Sequence, residues 1–415
     1  MHELQRRQLV RIAFVLACVL PTLLVIGFVI RMRLPSYATS YAEAIAHATE
    51  TTVRIDQVSH PKPHVTRFAN FQVFAMDTHN LLLQANQLDI VHTNLGYEVR
   101  GDLELHADAT TLWSIIERQL RKHQQVLSPK RFTVRSECFV WRSDSTVQSF
   151  RDIRCDFRST ADGDSMPNGT GATFACSYRN AENEQAEAGT LAVKRIVVGG
   201  RSHATLVART HNNAIKPAIL FPGWQPYCGD ATLLGELNAI CESGKWRGIA
   251  KSIHWQGLSG SNLVGEQLLP LRLTGMFDLA NATCEFTHQR ITKASGELAC
   301  KEAQLSDALV RQLEIAGFRI ARSKSGANRV RASRSRFSLD SDGCRIQGLC
   351  ESPNVATRPV AIGKSLRIDA PPSVLRIDNV VSILASPHNE RAMSLVEGLR
   401  RRLPLDRLRF ADQSP

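Results

Sequence analysis

Residues 271–279, LRLTGMFDL, have an apolar residue or glycine at every second position. A period of two residues puts Leu271, Leu273, Phe277 and Leu279 on one face of a β-strand. Further segments with this period are 53–55, 71–75, 88–90, 97–105, 132–140, 153–157, 172–178, 189–198, 203–209, 296–300, 337–339 and 344–350. The sequence therefore predicts a mainly β, α+β protein, built as an elongated amphipathic antiparallel β-sheet or groove.

A few short helices interrupt the strands. Helical spacing of apolar residues, or a high alanine content, predicts them at 35–50, 108–123, 231–242, 303–316 and 390–402. Asp108 suits the N-cap of the second helix, and Gly317 suits the end of the fourth. Prolines and the change of pattern favour an irregular or helical connector at 213–262, between strand-rich regions at 35–212 and 263–415.

The run IAFVLACVLPTLLVIGFVI at 12–30 contains no charged residue. A single helix needs about 20 apolar residues to cross a bilayer, so the run predicts one membrane anchor. Its lipid-facing candidates are Ile12, Phe14, Leu16, Leu20, Leu23, Leu24, Ile26, Phe28 and Ile30. Arginines on both sides give a small charge bias that favours a cytoplasmic segment at 1–11 and a bulk domain on the far side of the membrane.

Two other interpretations of this run remain open. A cleaved signal peptide has a shorter apolar region and small residues before its cleavage site, whereas this run ends in Arg31-Met32-Arg33. A lipoprotein would be modified at Cys18, but Leu16 is a poor fit two residues before it.

The formal net charge of +12 suits anionic partners, either lipid headgroups or nucleic acid, and a diffusely solvated basic surface is the other interpretation. Basic residues cluster in a serine- and glycine-containing segment, where Arg329, Arg331, Arg334 and Arg336 are candidate contacts for anionic headgroups. A solvated loop is the other interpretation. The segment lacks aromatic stacking platforms, so no nucleic-acid partner is predicted.

The chain has ten cysteines and no C-x-x-C motif. Cys284 and Cys300 lie on segments that could pair as a hairpin, so a disulfide between them is predicted for an oxidising compartment. The alternative is that most cysteines are small buried apolar residues. Cys344 and Cys350 belong to one straight strand and are too far apart to bond.

No catalytic motif is present. Gly363-Lys364-Ser365 lacks the earlier glycine of a phosphate-binding loop, and prolines between His60 and His64 exclude a helical metal-ligand pair. Asp102, Glu104 and His106 share one strand face, which is typical of a solvated surface. We expect no enzyme activity, no cofactor and no metal.

Two segments carry a family resemblance. The first segment, residues 48–91, follows the membrane run and is predicted to form strands from ATETTVRIDQV to QLDIV. The second segment, residues 271–313, contains the strands of LRLTGMFDLANATCEF and ends in an amphipathic helix. This order resembles the AsmA/TamB-like family of bacterial envelope proteins, in a pattern of hydrophobicity more than in fixed motifs. Val53, Ile55 and Val58 match its first strands.

The resemblance implies a single-pass protein of the bacterial inner membrane, with most of the chain periplasmic. It implies noncatalytic work in envelope biogenesis, in which an apolar β groove binds or guides membrane lipid, with envelope proteins as further partners. The alternative is an anchored scaffold that binds a protein partner through a closed β sandwich. An envelope hydrolase would need a polar cleft that the sequence does not indicate.

Overall fold

The structure is a computed structural model. It describes isolated positions between 14 and 31 and then the following segments: 34–76, 79–94, 96–122, 131–143, 146–159, 169–182, 187–198, 201–220, 229–242, 244–261, 271–288, 290–323, 328–351 and 358–376.

Four helices and 21 strands form in these segments. The helices are α1 (Pro35–Thr49), α2 (Ala109–Lys122), α3 (Pro217–Leu220) and α4 (Asp307–Ile315). The first strands are β1 (Thr52–Arg54), β2 (Gln57–Lys62), β3 (Val65–Phe74), β4 (Leu81–Thr93), β5 (Gly96–Arg100), β6 (Leu103–Leu105), β7 (Arg131–Arg142), β8 (Val147–Ser159), β9 (Gly169–Asn180), β10 (Gly189–Val198) and β11 (Arg201–Arg209). The remaining strands are β12 (Thr232–Glu242), β13 (Lys245–Ser259), β14 (Leu273–Thr287), β15 (Arg290–Leu305), β16 (Arg319–Arg322), β17 (Arg329–Val330), β18 (Ala332–Asp340), β19 (Gly343–Gly348), β20 (Ala361–Ile362) and β21 (Leu366–Asp369).

All described strands belong to one hydrogen-bonded sheet. From β7 to β15 each strand pairs antiparallel with the next one in the chain. At the first end, β5 and β6 pair parallel to β7, and the connection passes through α2 because parallel neighbours need a crossover. The sheet is therefore mixed, and the prediction of a mainly β fold is confirmed.

Three helices pack on the sheet. On α1, Ala38 and Ala42 are buried, and Tyr41 packs edge-on against Phe68 of β3 with ring centroids 5.7 Å apart. On α4, the Ser306 side chain accepts a hydrogen bond from the backbone of Leu309 and so caps the helix. These helices cover the two ends of the sheet, and α2 covers part of its middle.

Asp108 caps α2 as predicted, because its Oδ1 accepts a hydrogen bond from the backbone N–H of Thr111 at 2.7 Å. Leu112, Trp113 and Ile116 of this helix pack onto β8–β11. Trp113 also reaches Trp246 of β13, with ring centroids 5.4 Å apart. The helix therefore spans several strands on one face of the sheet.

A buried asparagine ties the middle strands to the segment before α3. Asn213 is fully buried; its Oδ1 accepts a hydrogen bond from Asn180 N–H at 2.8 Å, and its Nδ2 donates to the Glu187 carbonyl at 2.6 Å. Gln148 donates to the Ala214 carbonyl at 2.7 Å. These bonds connect the backbones of Asn180, Glu187 and Ala214 through two buried amide side chains.

The predicted helix at 231–242 is wrong, since this segment forms β12. Leu233 and Leu237 are four residues apart, which suits one helix face, but every second residue also suits a strand. Here the partner strands β11 and β13 decide the outcome. The sheet runs through β12 and β13, so 213–262 is not an irregular or helical connector.

One boundary also differs from prediction. The helix predicted at 303–316 begins at Asp307, because Ala303 and Leu305 belong to β15. Asn281, a residue type common in turns, lies inside β14, and a register shift falls beside it. Its φ of 51° suits a bulge as well as a turn. The helix predicted at 390–402 lies outside the described residues.

Most of the predicted anchor at 12–30 also lies outside the described residues. Its described apolar side chains are exposed: Phe14, Leu20, Leu23, Ile26 and Ile30. Among the described residues, no helix combines the length and the apolar character needed to cross a membrane.

Replacing Asn213 with alanine should lower the free energy of unfolding by about 2 kcal/mol, because the Asn180 N–H and the Glu187 carbonyl lose their partner. Urea denaturation followed by circular dichroism measures this loss. Asn212 is exposed, so the matched variant Asn212→Ala should stay within about 0.5 kcal/mol of wild type. Equal effects of the two substitutions would contradict the role of Asn213.

Candidate functional site

One row of directly opposed residues crosses almost the whole sheet. It begins at Thr66 on β3 and ends at Leu375 beyond β21, and every residue between these two is apolar. Its members in order are Thr66, Ile90, Val99, Val134, Cys155, Cys176, Leu191, Ala208, Leu237, Ala250, Cys284, Ala294, Leu339, Cys344 and Leu375. Opposed residues project to the same face, so this row marks a continuous apolar face.

The adjacent row of opposed residues projects to the other face and is polar throughout. It runs from β3 to β13 through Arg67, Asp89, Arg100, Arg135, Arg154, Ser177, Thr190, Arg209, Glu236 and Lys251. The sheet is therefore amphipathic, with one face suited to water and the other to an apolar cover.

The cover of the apolar face is incomplete. The residues under α1, α2 and α4 belong to packed core clusters. Six residues of the row, from β11 to β18, are half-buried and belong to none of the described clusters. We name them the open apolar strip: Ala208, Leu237, Ala250, Cys284, Ala294 and Leu339.

A shallow depression of about 640 Å³ lies on the opposite face of the sheet, with walls from β11 to β15. Its wall residues Val207, Asn238, Ile249 and Glu285 oppose one another directly, one residue away from the row that contains the strip, so they project to the other face. The open apolar strip alone is therefore the candidate site.

Gly248 lies two residues before Ala250 of the strip, on the same face of β13. A Cβ atom at this position would lie 2.8 Å from Cζ of Phe286 and 2.5 Å from the Asn238 carbonyl oxygen. A side chain would therefore displace the ring or the strand, and the glycine lets Phe286 lie close to the backbone.

Ion pairs cover the polar face. Arg67 donates two hydrogen bonds to Asp89 at 2.7 and 2.8 Å, and Glu98 lies 2.8 Å from Arg100 and 3.0 Å from Arg135. The hydrogen bond from Arg67 lowers the pKa of Asp89, and the one from Arg100 lowers the pKa of Glu98. These carboxylates therefore hold the charged face together at neutral pH.

The basic cluster predicted for headgroups is largely paired with carboxylates. Arg334 and Arg336 both contact Glu297, and Arg329 lies 3.3 Å from Glu302. Arg331 is exposed at the bend between β17 and β18. An anionic headgroup would have to compete with these carboxylates for three of the four arginines.

The polar residues Asp102, Glu104 and His106, on and beside β6, have structural partners. Glu104 accepts hydrogen bonds from Gln84 at 2.7 Å and from Arg142 at 2.6 Å, and these bonds lower its pKa. His106 lies 3.5 Å from the same carboxylate, and Asp102 accepts a bond from the Cys138 N–H at 3.3 Å.

His60 likewise has structural partners. Its Nε2 lies 2.8 Å from the Tyr37 hydroxyl, and its Nδ1 lies 3.3 Å from the Thr66 hydroxyl. Burial, followed by the hydrogen bond with Tyr41, raises the pKa of Tyr37 to about 12. Among the described residues, no group of three or more His, Cys, Asp or Glu residues could hold a metal ion.

The structure keeps Cys284 and Cys300 apart. Cys284 faces Ala294 across the β14–β15 hairpin, whereas Cys300 faces Phe277. At about 3.3 Å per residue the two cysteines are separated by about 20 Å. The predicted disulfide fails because the hairpin register offsets them, although the predicted hairpin itself forms.

Comparison of the chain with family models, with curated proteins and with solved structures finds no match. The resemblance to AsmA/TamB-like proteins therefore stays a prediction from the sequence.

The lowered pKa values of Asp89, Glu98 and Glu104 predict acid sensitivity. Their stabilisation is complete above the unfolded carboxyl pKa of about 4 and is lost as pH falls through the lower folded values. The urea midpoint should therefore fall between about pH 5 and about pH 2.

Glu98→Gln should reduce the decrease of the urea midpoint at low pH. Glu302→Gln alters an exposed ion pair, at a side chain that is 67% exposed, and should leave this decrease unchanged. An acid-insensitive midpoint in wild type would contradict the assignment.

Proposed function

We propose that this protein binds membrane lipid along the apolar face of its sheet and acts in envelope biogenesis without catalysing a reaction. The observation that carries the proposal is the open apolar strip. Helices cover the apolar face of the sheet on both sides of this strip and leave the strip itself uncovered. Apolar surface exposed to water is costly at about 25 cal/mol per Å², so this strip favours an apolar occupant.

The shape of the site supports an acyl chain as that occupant. The strip crosses several strands in one line, and the neighbouring row on the same face, formed by Leu206, Ala239, Gly248 and Phe286, has no polar side chain. An extended hydrocarbon chain fits a linear apolar surface and needs few polar contacts.

Charge supports an anionic lipid. The net charge of the chain is +12, which attracts an anionic headgroup.

Placement completes the proposal. The apolar run at 12–30 serves as a single-pass anchor in the bacterial inner membrane, with the sheet in the periplasm. This part rests on the sequence and on the resemblance to AsmA/TamB-like proteins, and envelope proteins would be further partners.

Site-specific photo-crosslinking tests the proposal in the full chain. A benzophenone amino acid at Leu237 faces the strip, whereas the same probe at Asn238 faces the other side of β12. In cells labelled with radioactive phosphate, irradiation should attach phospholipid at position 237 and leave position 238 unlabelled. Equal labelling of both positions, or labelling of neither, would contradict lipid binding at the strip.

Charge placed on the strip should remove the lipid. Leu237→Glu puts a carboxylate on the apolar surface and should lower crosslinking from a probe at Ala250 by about tenfold or more. Asn238→Glu adds the same charge to the polar face and should leave it unchanged. A protein crosslinked at position 237 in place of lipid would favour the scaffold with a protein partner.

A further inference from the structure

Two cysteines of the apolar row lie directly opposite each other on neighbouring strands. Cys155 of β8 faces Cys176 of β9. Their Sγ atoms are 2.9 Å apart, and the residues are 21 positions apart in sequence. A disulfide bond has a length of about 2.05 Å, so the two sulfurs need to approach by less than about 1 Å.

No other described cysteine faces a second cysteine on a neighbouring strand. Cys284 has Ala250 and Ala294 on either side, and Cys344 has Leu339 and Leu375. The row thus contains four cysteines, and only Cys155 and Cys176 lie directly opposite each other.

We propose that Cys155 and Cys176 form a structural disulfide bond that fixes the register of β8 against β9. A one-residue slip between these strands would turn the apolar side chains of one strand to the polar face. A covalent bond inside the row excludes that slip, and it also ties together the two ends of the connection between the strands.

The bond forms by exchange with a disulfide-bearing oxidant of the thiol–disulfide oxidoreductase class. One cysteine thiolate attacks the oxidant's disulfide, which forms a mixed disulfide and releases one oxidant thiol. The second thiolate attacks the mixed disulfide and releases the other oxidant thiol. The protein loses two protons and two electrons, and the oxidant disulfide gains them as a dithiol.

Helix α2 covers this pair of cysteines. Both cysteines pack against the cluster that includes Leu112, Trp113 and Ile116 of the helix. The docked helix therefore shields the bond from reductants.

Thiol trapping in the full chain tests the bond. The protein is denatured in N-ethylmaleimide without reductant, digested and mapped by mass spectrometry, after production in an oxidising compartment. The expected product is one peptide pair that is joined through Cys155 and Cys176, lacks two hydrogens and separates on reduction. Alkylation of both residues in the unreduced sample would overturn the proposal, as would a bond from either one to another cysteine.

Refolding provides a second measurement. Wild-type protein refolded in detergent with oxidised and reduced glutathione should melt about 5 °C higher than protein refolded with reductant alone. The single variant Cys284→Ala changes another cysteine of the same row and should keep this difference. The double variant Cys155→Ala/Cys176→Ala should lose it. A difference that persists in the double variant would also overturn the proposal.

Discussion

Strand register is the constraint on which the rest of this structure depends. From β7 to β15 each strand is hydrogen-bonded to its neighbours in the chain, and the same parity stays apolar at every step. Because side chains alternate with a period of two, an error of one residue at any pair would invert one strand. Ion pairs such as Arg67–Asp89 oppose an inversion from the polar side, since an inverted strand would bury their charges.

The helices divide the apolar face into covered and uncovered parts. Helix α1 covers the first strands, α2 covers β8–β11, and α4 belongs to the C-terminal core with Val310 fully buried. Between α2 and that core the row consists of small or medium side chains, Ala250 and Ala294 among them. The candidate site is thus a property of the sheet as a whole, in which no single residue is distinctive.

The sequence predicts the strands well because their period is local. The alternation that includes Phe277 and Leu279 predicts β14, and Asp108 predicts the start of α2. The sequence predicts strand pairing poorly, because register depends on the partner strands. Cys284 and Cys300 lie on two strands that do form a hairpin, but they are offset by about 20 Å. The opposed pair Cys155 and Cys176 lies on strands that were predicted, and pairing those strands in register is the signal that would have found it.

The helical spacing in 231–242 predicted a helix where a strand forms, for a related reason. Leu233 and Leu237 fit both periods, and only β11 and β13 on either side select the strand. The open strip could not be read from the sequence, since it is defined by where the helices end and not by the residues beneath.

The serial pairing of neighbouring strands makes this sheet almost one-dimensional, as in repeat proteins, where each unit contacts only the next. Removal or insertion of a complete hairpin between β8 and β15 would leave the direction of every later strand and the side of every later apolar residue unchanged. Removal of a single strand would reverse the direction of all that follow. The length of the apolar surface can therefore change only in steps of two strands, so hairpins are the natural unit in which such a chain can lengthen or shorten.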